Sequence, residues 1–264
     1  MTDHQLDLFA GTGEFAGDPP AFLVRPSATD PALLDDVALL AAIPGSRLSD
    51  GPGLAKEAGR RRLAAAIPVL EDYCRRFAGF GIERPLPEQI AVLEALGAIG
   101  GPVAATSVAT IIVRQWVQGP TLATAVAVAA RLAAPLPAAS VLALLRHADP
   151  AVRADACRLA RGGPDVIATL LDLMGDLHNN VSVAAACALA RLGRTEARPL
   201  LIRTLSQAPS VRAVEAIAEI ADEECIVLLG RIARGASAEL AKAARDALEV
   251  TEHPRAERLL QQLR

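Results

Sequence analysis

From Pro87 onward a proline recurs wherever a short helix would begin, at positions 87, 102, 120, 137, 150 and 164. The successive spacings are 15, 18, 17, 13 and 14 residues, and Gly101, Gly119, Asp149 and Gly163 directly precede four of these prolines. Proline suits the first turn of a helix, where its missing N–H costs nothing and its fixed φ is already helical. A spacing of this size holds one helix and one tight turn, so the segment reads as a train of short helices. No stretch between the prolines shows the period-two alternation of a strand.

Pairs of these helices give a period near 30 residues. "DPAVRADACRLARGG" from Asp149 aligns with "NNVSVAAACALARLG" from Asn179, and "PSVRAVEAIAEIAD" from Pro209 is a third copy. Cys157 and Cys187, Leu159 and Leu189, and Arg161 and Arg191 all lie 30 residues apart. The stretches between the copies, "DVIATLLDLMGD" and "EARPLLIRTLSQ", read as partner helices. One amphipathic helix pair cannot bury its own apolar face, whereas stacked neighbours bury a continuous core. The composition agrees: 52% of residues are apolar but only 3% aromatic, so the core is built from Ala, Leu, Val and Ile. Alanine combines the best helix propensity with close helix approach.

This pattern resembles the HEAT repeat, in the short form named after phycobilisome lyases. The residues that carry the resemblance are Asp149-Pro150, Val152-Arg153, Val181, Ala185, Ala186, Ala188, Leu189, Gly193 and Val211-Arg212. It is clearest over 149–222 and extends over 87–264. Ser182 stands where the repeat usually has Arg, and the copy from Pro120 is degenerate. The expected fold is all-α, an α-α superhelix (a HEAT-like solenoid). Residues 87–264 would form the repeats and 30–86 the N-terminal capping helices of the same solenoid. Residues 1–29 would be a disordered N-terminal tail.

In the first half of the body, Asp30 and Pro31 read as cap and first residue of a helix burying Leu33, Val37 and Leu40. "IPGSRLSDGPG" reads as a loop, and Leu54 to Phe80 as a long helix kinked at Pro68.

Residues 1–29, rich in Gly, Pro, Asp and Thr, contain the stretch "HQLDLFAGTG". As "LDLFAGTG" it resembles the cofactor-binding motif of Rossmann-like methyltransferases. That motif needs a strand before it, a helix after it and further βαβ units. Pro19 and Pro20 follow closely and no parallel sheet is expected, which excludes this reading. As "QLDLF" it resembles the peptide by which bacterial replication and repair proteins dock on the β sliding clamp. The resemblance implies that Gln5 bonds in a polar subsite, Leu6 packs at its edge, and Leu8 and Phe9 fill an apolar pocket. Asp7 occupies a position where Asp or Ser is tolerated. The alternative is that Leu6, Leu8 and Phe9 fold back onto a groove of the first helices.

The net charge of −3 is unevenly spread. Residues 1–29 hold four acids and one Arg, whereas 95–214 hold 11 Arg against 6 acids, a net +5. A basic middle permits phosphate contacts without requiring them. Arg153 and Arg212 occupy the HEAT Val-Arg position, which the resemblance assigns to a ladder with a turn acid such as Asp149. Arg153, Arg158, Arg161, Arg191 and Arg194 are the candidate phosphate or partner contacts, in the manner of HEAT-like DNA glycosylases. Those enzymes also use aromatic residues, and Trp116 is the only tryptophan. Arg60 to Arg62 read as a solvated helix face.

Cys74, Cys157, Cys187 and Cys225 form no CxxC pair and read as packing residues. The four histidines are scattered, and no His-Glu dipeptide of the HEAT-like iron hydroxylases occurs, so neither metal nor cofactor is expected. Arg114, Arg131 and three prolines interrupt the apolar run 103–145, so no membrane span is expected. The sequence therefore points to a cytoplasmic, non-catalytic adaptor for protein partners, with the β sliding clamp implied by Gln5–Phe9. The runner-up is a HEAT-like enzyme, either a DNA alkylpurine glycosylase or a bilin lyase.

Overall fold

The computed structural model describes residues 30–235 and 237–263, which form fifteen α-helices and no strand. The even-numbered helices are α2 (Gly51–Arg60), α4 (Pro87–Ile99), α6 (Thr121–Arg131), α8 (Pro150–Leu159), α10 (Asn179–Arg191), α12 (Val211–Ala218) and α14 (Ala238–Val250). Each packs against the next, giving one unbroken layer. The second layer holds α1 (Asp36–Ala42), α3 (Ile67–Arg75), α5 (Gly101–Val113), α7 (Ala138–Leu145), α9 (Pro164–Leu173), α11 (Arg198–Gln207), α13 (Glu223–Gly235) and α15 (Pro254–Leu263). There α3 packs on α5, α7 on α9, α11 on α13 and α13 on α15. The result is an α-α superhelix, as the 30-residue period predicts.

All six prolines of the rhythm stand at helix starts. Pro87, Pro150 and Pro164 are first helical residues, Pro102 is the second residue of α5, and Pro120 and Pro137 directly precede α6 and α7. Side-chain caps reinforce one of these starts, that of α8, and the later start of α12. Asp149 accepts from the Ala151 N–H at 2.8 Å and Ser210 accepts from Ala213 N–H at 3.3 Å. Such caps satisfy donors that the helix leaves unpaired.

The even helices from α4 to α12 are flanked on both sides by their own layer and on a third by the other. This explains their composition. In α10, Val181, Ala185, Ala186, Ala188, Leu189 and Ala190 are all buried, so apolar residues cover most of the helix circumference. Small side chains let the axes approach. A Cβ on Gly59 of α2 would stand 2.6 Å from the Ala95 Cα of α4, so that contact admits only glycine. A single core cluster runs from Leu39 to Ala256.

The first half of the body departs from expectation in two places. Asp30 and Pro31 start only a 3₁₀ turn, Pro31–Leu33, and Asp35 then caps a fresh helix by accepting from the Ala38 N–H at 2.8 Å. This restart rotates the apolar face. Leu33 and Val37 are 79% and 78% exposed, while Leu39 and Ile43 are fully buried. The expected long kinked helix is two helices, α2 and α3, separated by Arg62 with φ of 54°. Pro68 sits in the first turn of α3, where it starts a helix rather than kinking one. Helix α2 also begins inside the expected loop, at Gly51.

The arginine cluster is only partly solvated. Glu57, nearly buried, accepts from Arg60 Nε at 2.8 Å and Arg61 Nε at 2.6 Å. Arg61 continues to Asp36 and to the carbonyls of Pro31, Ala32 and Leu34, tying the chain start to α2. The hydrogen bonds from Arg60 and then Arg61 pull the Glu57 carboxyl down to about 2. A depressed carboxyl stabilises the fold fully above its ordinary value near 4.5, and that contribution fades as pH falls toward about 2. Urea melts across this window should show wild type losing stability that Glu57→Gln, already lacking the charge, does not lose. Parallel loss in both proteins would contradict the assignment.

Candidate partner-binding surface

Sequence repetition places one arginine per repeat at the end of an even helix: Arg131, Arg161 and Arg191, each 30 residues after the last. Each reaches back to the preceding repeat. Arg161 Nη2 donates to the Ala133 carbonyl at 2.8 Å, and Arg191 Nη2 donates to the Cys157 carbonyl at 3.1 Å. The Arg131 guanidinium lies against Gly97 of α4, where a Cβ would stand 1.9 Å from Nη2. Cations at these positions satisfy free carbonyls and oppose the negative end of the helix dipole.

Arg153 is turned into the structure. Its Nε and Nη2 hold the Asp176 carboxylate at 2.9 and 3.1 Å, and its Nη1 donates to the His147 and Ala148 carbonyls, both at 2.8 Å. Only 14% of the Arg153 side chain and 9% of Asp176 are exposed. The acid of the ladder is thus Asp176, ahead of the next repeat, while the expected Asp149 caps α8. The His178 backbone N–H and then Arg153 hold the Asp176 carboxyl below the ordinary carboxylate range.

The remaining candidates separate. Arg194 pairs with Glu196 in its own turn, and Arg158 pairs with Asp155 at 3.3 Å. Of the five arginines named from sequence, only Arg158 and Arg191 line the same groove. That groove, about 580 Å³, crosses α8, α10 and α12 on the outer face of the even layer. Val183, Ala184 and Cys187 are its apolar floor, and Arg212, Glu215 and Glu219 stand on the α12 side. Arg212, Glu215 and Glu219 have no ion-pair partner among the described residues. The surface therefore offers apolar area and charges of both signs, which suits a protein segment better than a uniformly anionic ligand. Sequence reasoning named Arg212 only as a ladder residue and overlooked Glu215 and Glu219. The signal was their i, i+3 and i+7 spacing on the helix opposite Arg191.

Trp116, weighed as a stacking platform, is half-buried against the core, with the Arg75 guanidinium 6.0 Å from its ring. Gln89 Nε2 of α4 donates to the Trp116 carbonyl at 2.7 Å and to the Phe77 carbonyl at 3.3 Å, which joins the loops after α3 and α5. Gln5, Leu6, Asp7, Leu8 and Phe9 lie outside the described residues. Among the described residues no group of His, Cys, Asp and Glu is placed to hold a metal, and no helix is long and apolar enough to cross a membrane.

Burial pushes the thiols of Cys74 and Cys157 up to about 12 and those of Cys187 and Cys225 up to about 11. They are therefore thiols, not nucleophilic thiolates, at neutral pH. Ellman's reagent at pH 8 should react slowly, and first, with half-buried Cys187; the other three should react only after unfolding. Rapid release from several cysteines in the native protein would contradict this packing.

Residues 138–218 match the sequence profile of HEAT repeats. No curated protein matches the chain. Among solved structures, the complex of CpcE and CpcF of phycocyanin lyase from Nostoc sp. PCC7120 is similar with a TM-score of 0.59 at 19% identity, over 94% of this chain and 99% of that one. Human deoxyhypusine hydroxylase in complex with glycerol matches with a TM-score of 0.38 at 18% identity, over 82% of this chain and 84% of that one. An engineered protein matches at 0.39 and 18%, over 86% and 98%. The profile match and the phycocyanin lyase likeness support a HEAT-like helical solenoid.

Proposed function

We propose that this chain is a non-catalytic interaction scaffold, recruited to the β sliding clamp by Gln5–Phe9 and presenting the even-layer groove to a second protein. The observation that carries the clamp reading is the peptide Gln5-Leu6-Asp7-Leu8-Phe9, whose apolar anchors need no fold around them. Peptide docking of this kind concentrates its energy in a few buried apolar side chains. The mixed-charge groove over α8, α10 and α12 supports the scaffold reading, since repeated helix faces provide extended binding surfaces. The similar Nostoc structure is itself a complex of two proteins, which is consistent with a solenoid of this kind taking a protein partner.

The test is capture on immobilised β clamp. Intact protein should be retained, and Leu8→Ala/Phe9→Ala should lose at least tenfold in affinity, as loss of two anchors in a short peptide implies. Equal capture of both would remove the clamp from the account. A second reading, direct DNA contact, draws on Arg158, Arg191 and Arg212 sharing one groove. Three phosphate contacts there would give a log–log salt slope of about −3 with duplex DNA, and a flat response would dismiss it.

A further inference from the structure

All five phenylalanines of the chain fall in two places. Phe9, Phe15 and Phe22 are in residues 1–29, and Phe77 and Phe80 are at one groove near the start of the solenoid. That groove, about 620 Å³, is lined by Leu48 from the turn before α2, Phe77 and Phe80 after α3, and Leu86 before α4. Leu48 and Phe80 are each 63% exposed, large apolar side chains left in water on one patch. Its rim is basic. Arg76 lies 5.3 Å from the Tyr73 ring centre and 5.8 Å from that of Phe77, and Arg84 has no ion-pair partner among the described residues.

We propose that Leu6–Phe9 of the same chain occupies this groove, so that the solenoid masks its own clamp-binding peptide until the clamp competes it away. The inference rests on the clamp reading for its consequence, but not for the docking itself. Charge favours it: residues 1–29 carry four acids against one Arg, with Asp7 between the apolar anchors in sequence, and at the groove Arg76 and Arg84 outnumber Glu88. Reach favours it as well. The segment enters the described structure at Asp30, and the neighbouring Pro31 lies 3.6 Å from where a Cβ on Gly53 would stand. Leu48 is five residues from Gly53 in sequence, hence at most about 19 Å away. A random coil of about 21 residues, the number of steps from Phe9 to Asp30, has an r.m.s. span of about 25 Å, enough to cover that distance. A match of linker length and span puts the local peptide concentration near 1 mM. A groove contact with a Kd of about 0.2 mM would then be ~80% closed, weakening apparent clamp affinity several-fold.

The experiment uses the full chain with p-benzoylphenylalanine at position 9, irradiated at high dilution and mapped by mass spectrometry. The expected result is intramolecular cross-linking to Leu48, Phe77 or Phe80, abolished by Phe80→Ser/Arg84→Glu at unchanged melting temperature. Without the benzophenone, that double variant should bind the clamp about three- to tenfold tighter than the parent. Cross-links that scatter over the solenoid, join two copies, or miss Leu48, Phe77 and Phe80 would overturn the proposal. If neither protein binds the clamp, the clamp reading fails while the cross-link map still decides whether the segment docks.

Discussion

Asp176→Ala should lower the unfolding free energy by about 2–3 kcal/mol. The carboxylate takes two hydrogen bonds from Arg153 and one from the His178 backbone N–H at 2.8 Å, so its removal strands a mostly buried guanidinium. The two carbonyls that Arg153 also contacts do not replace a counter-charge. The pair joins α8 to the turn that starts α10, and in a stacked repeat such a link couples neighbours. Urea unfolding should therefore shift its midpoint down and broaden. Asp149→Ala is the contrasting control, because Asp149 supplies only a helix cap and should cost about 1 kcal/mol. If the two variants were equally destabilised, the ladder would not run through Asp176.

Gly119→Ala should cost about 2–4 kcal/mol, although it adds one methyl group at an exposed turn. Gly119 has φ of 54°, and a Cβ there would stand 2.3 Å from the Ile82 carbonyl oxygen and 2.4 Å from that of Gly81. Both are backbone atoms and cannot swing aside. The loop they belong to carries Phe80 and Arg84, so its displacement should also deform the apolar groove. Gly79→Ala separates strain from clash: its φ of 85° is equally unusual, but nothing lies within 4 Å of the added atom. It should cost only about 1 kcal/mol. Thermal melts of the two variants, side by side, give the comparison.

The repeats were legible because their signals are local and recur. A proline at six successive helix starts, an Asp or Gly before four of them and small residues on the packed faces follow from helix chemistry alone. The first helices were less so. Asp35 and Asp36 both offer caps after Asp30, and no pattern of apolar residues reveals which one restarts the helix and rotates its buried face. The break between α2 and α3 depends on Arg62 adopting a positive φ, which an arginine sequence does not announce. At the candidate surface, spacing identified Arg161 and Arg191 as equivalent but not their targets, since a backbone carbonyl one repeat away carries no residue signature. Asp176 escaped notice for a related reason: it belongs to the turn of one helix pair and serves the arginine of another.

Calorimetric titration of this chain into purified β clamp tests most directly the recruitment of the solenoid through residues 1–29. It should give saturable binding that a synthetic peptide of residues 1–12 displaces completely. No heat, or binding that the peptide leaves untouched, would contradict it.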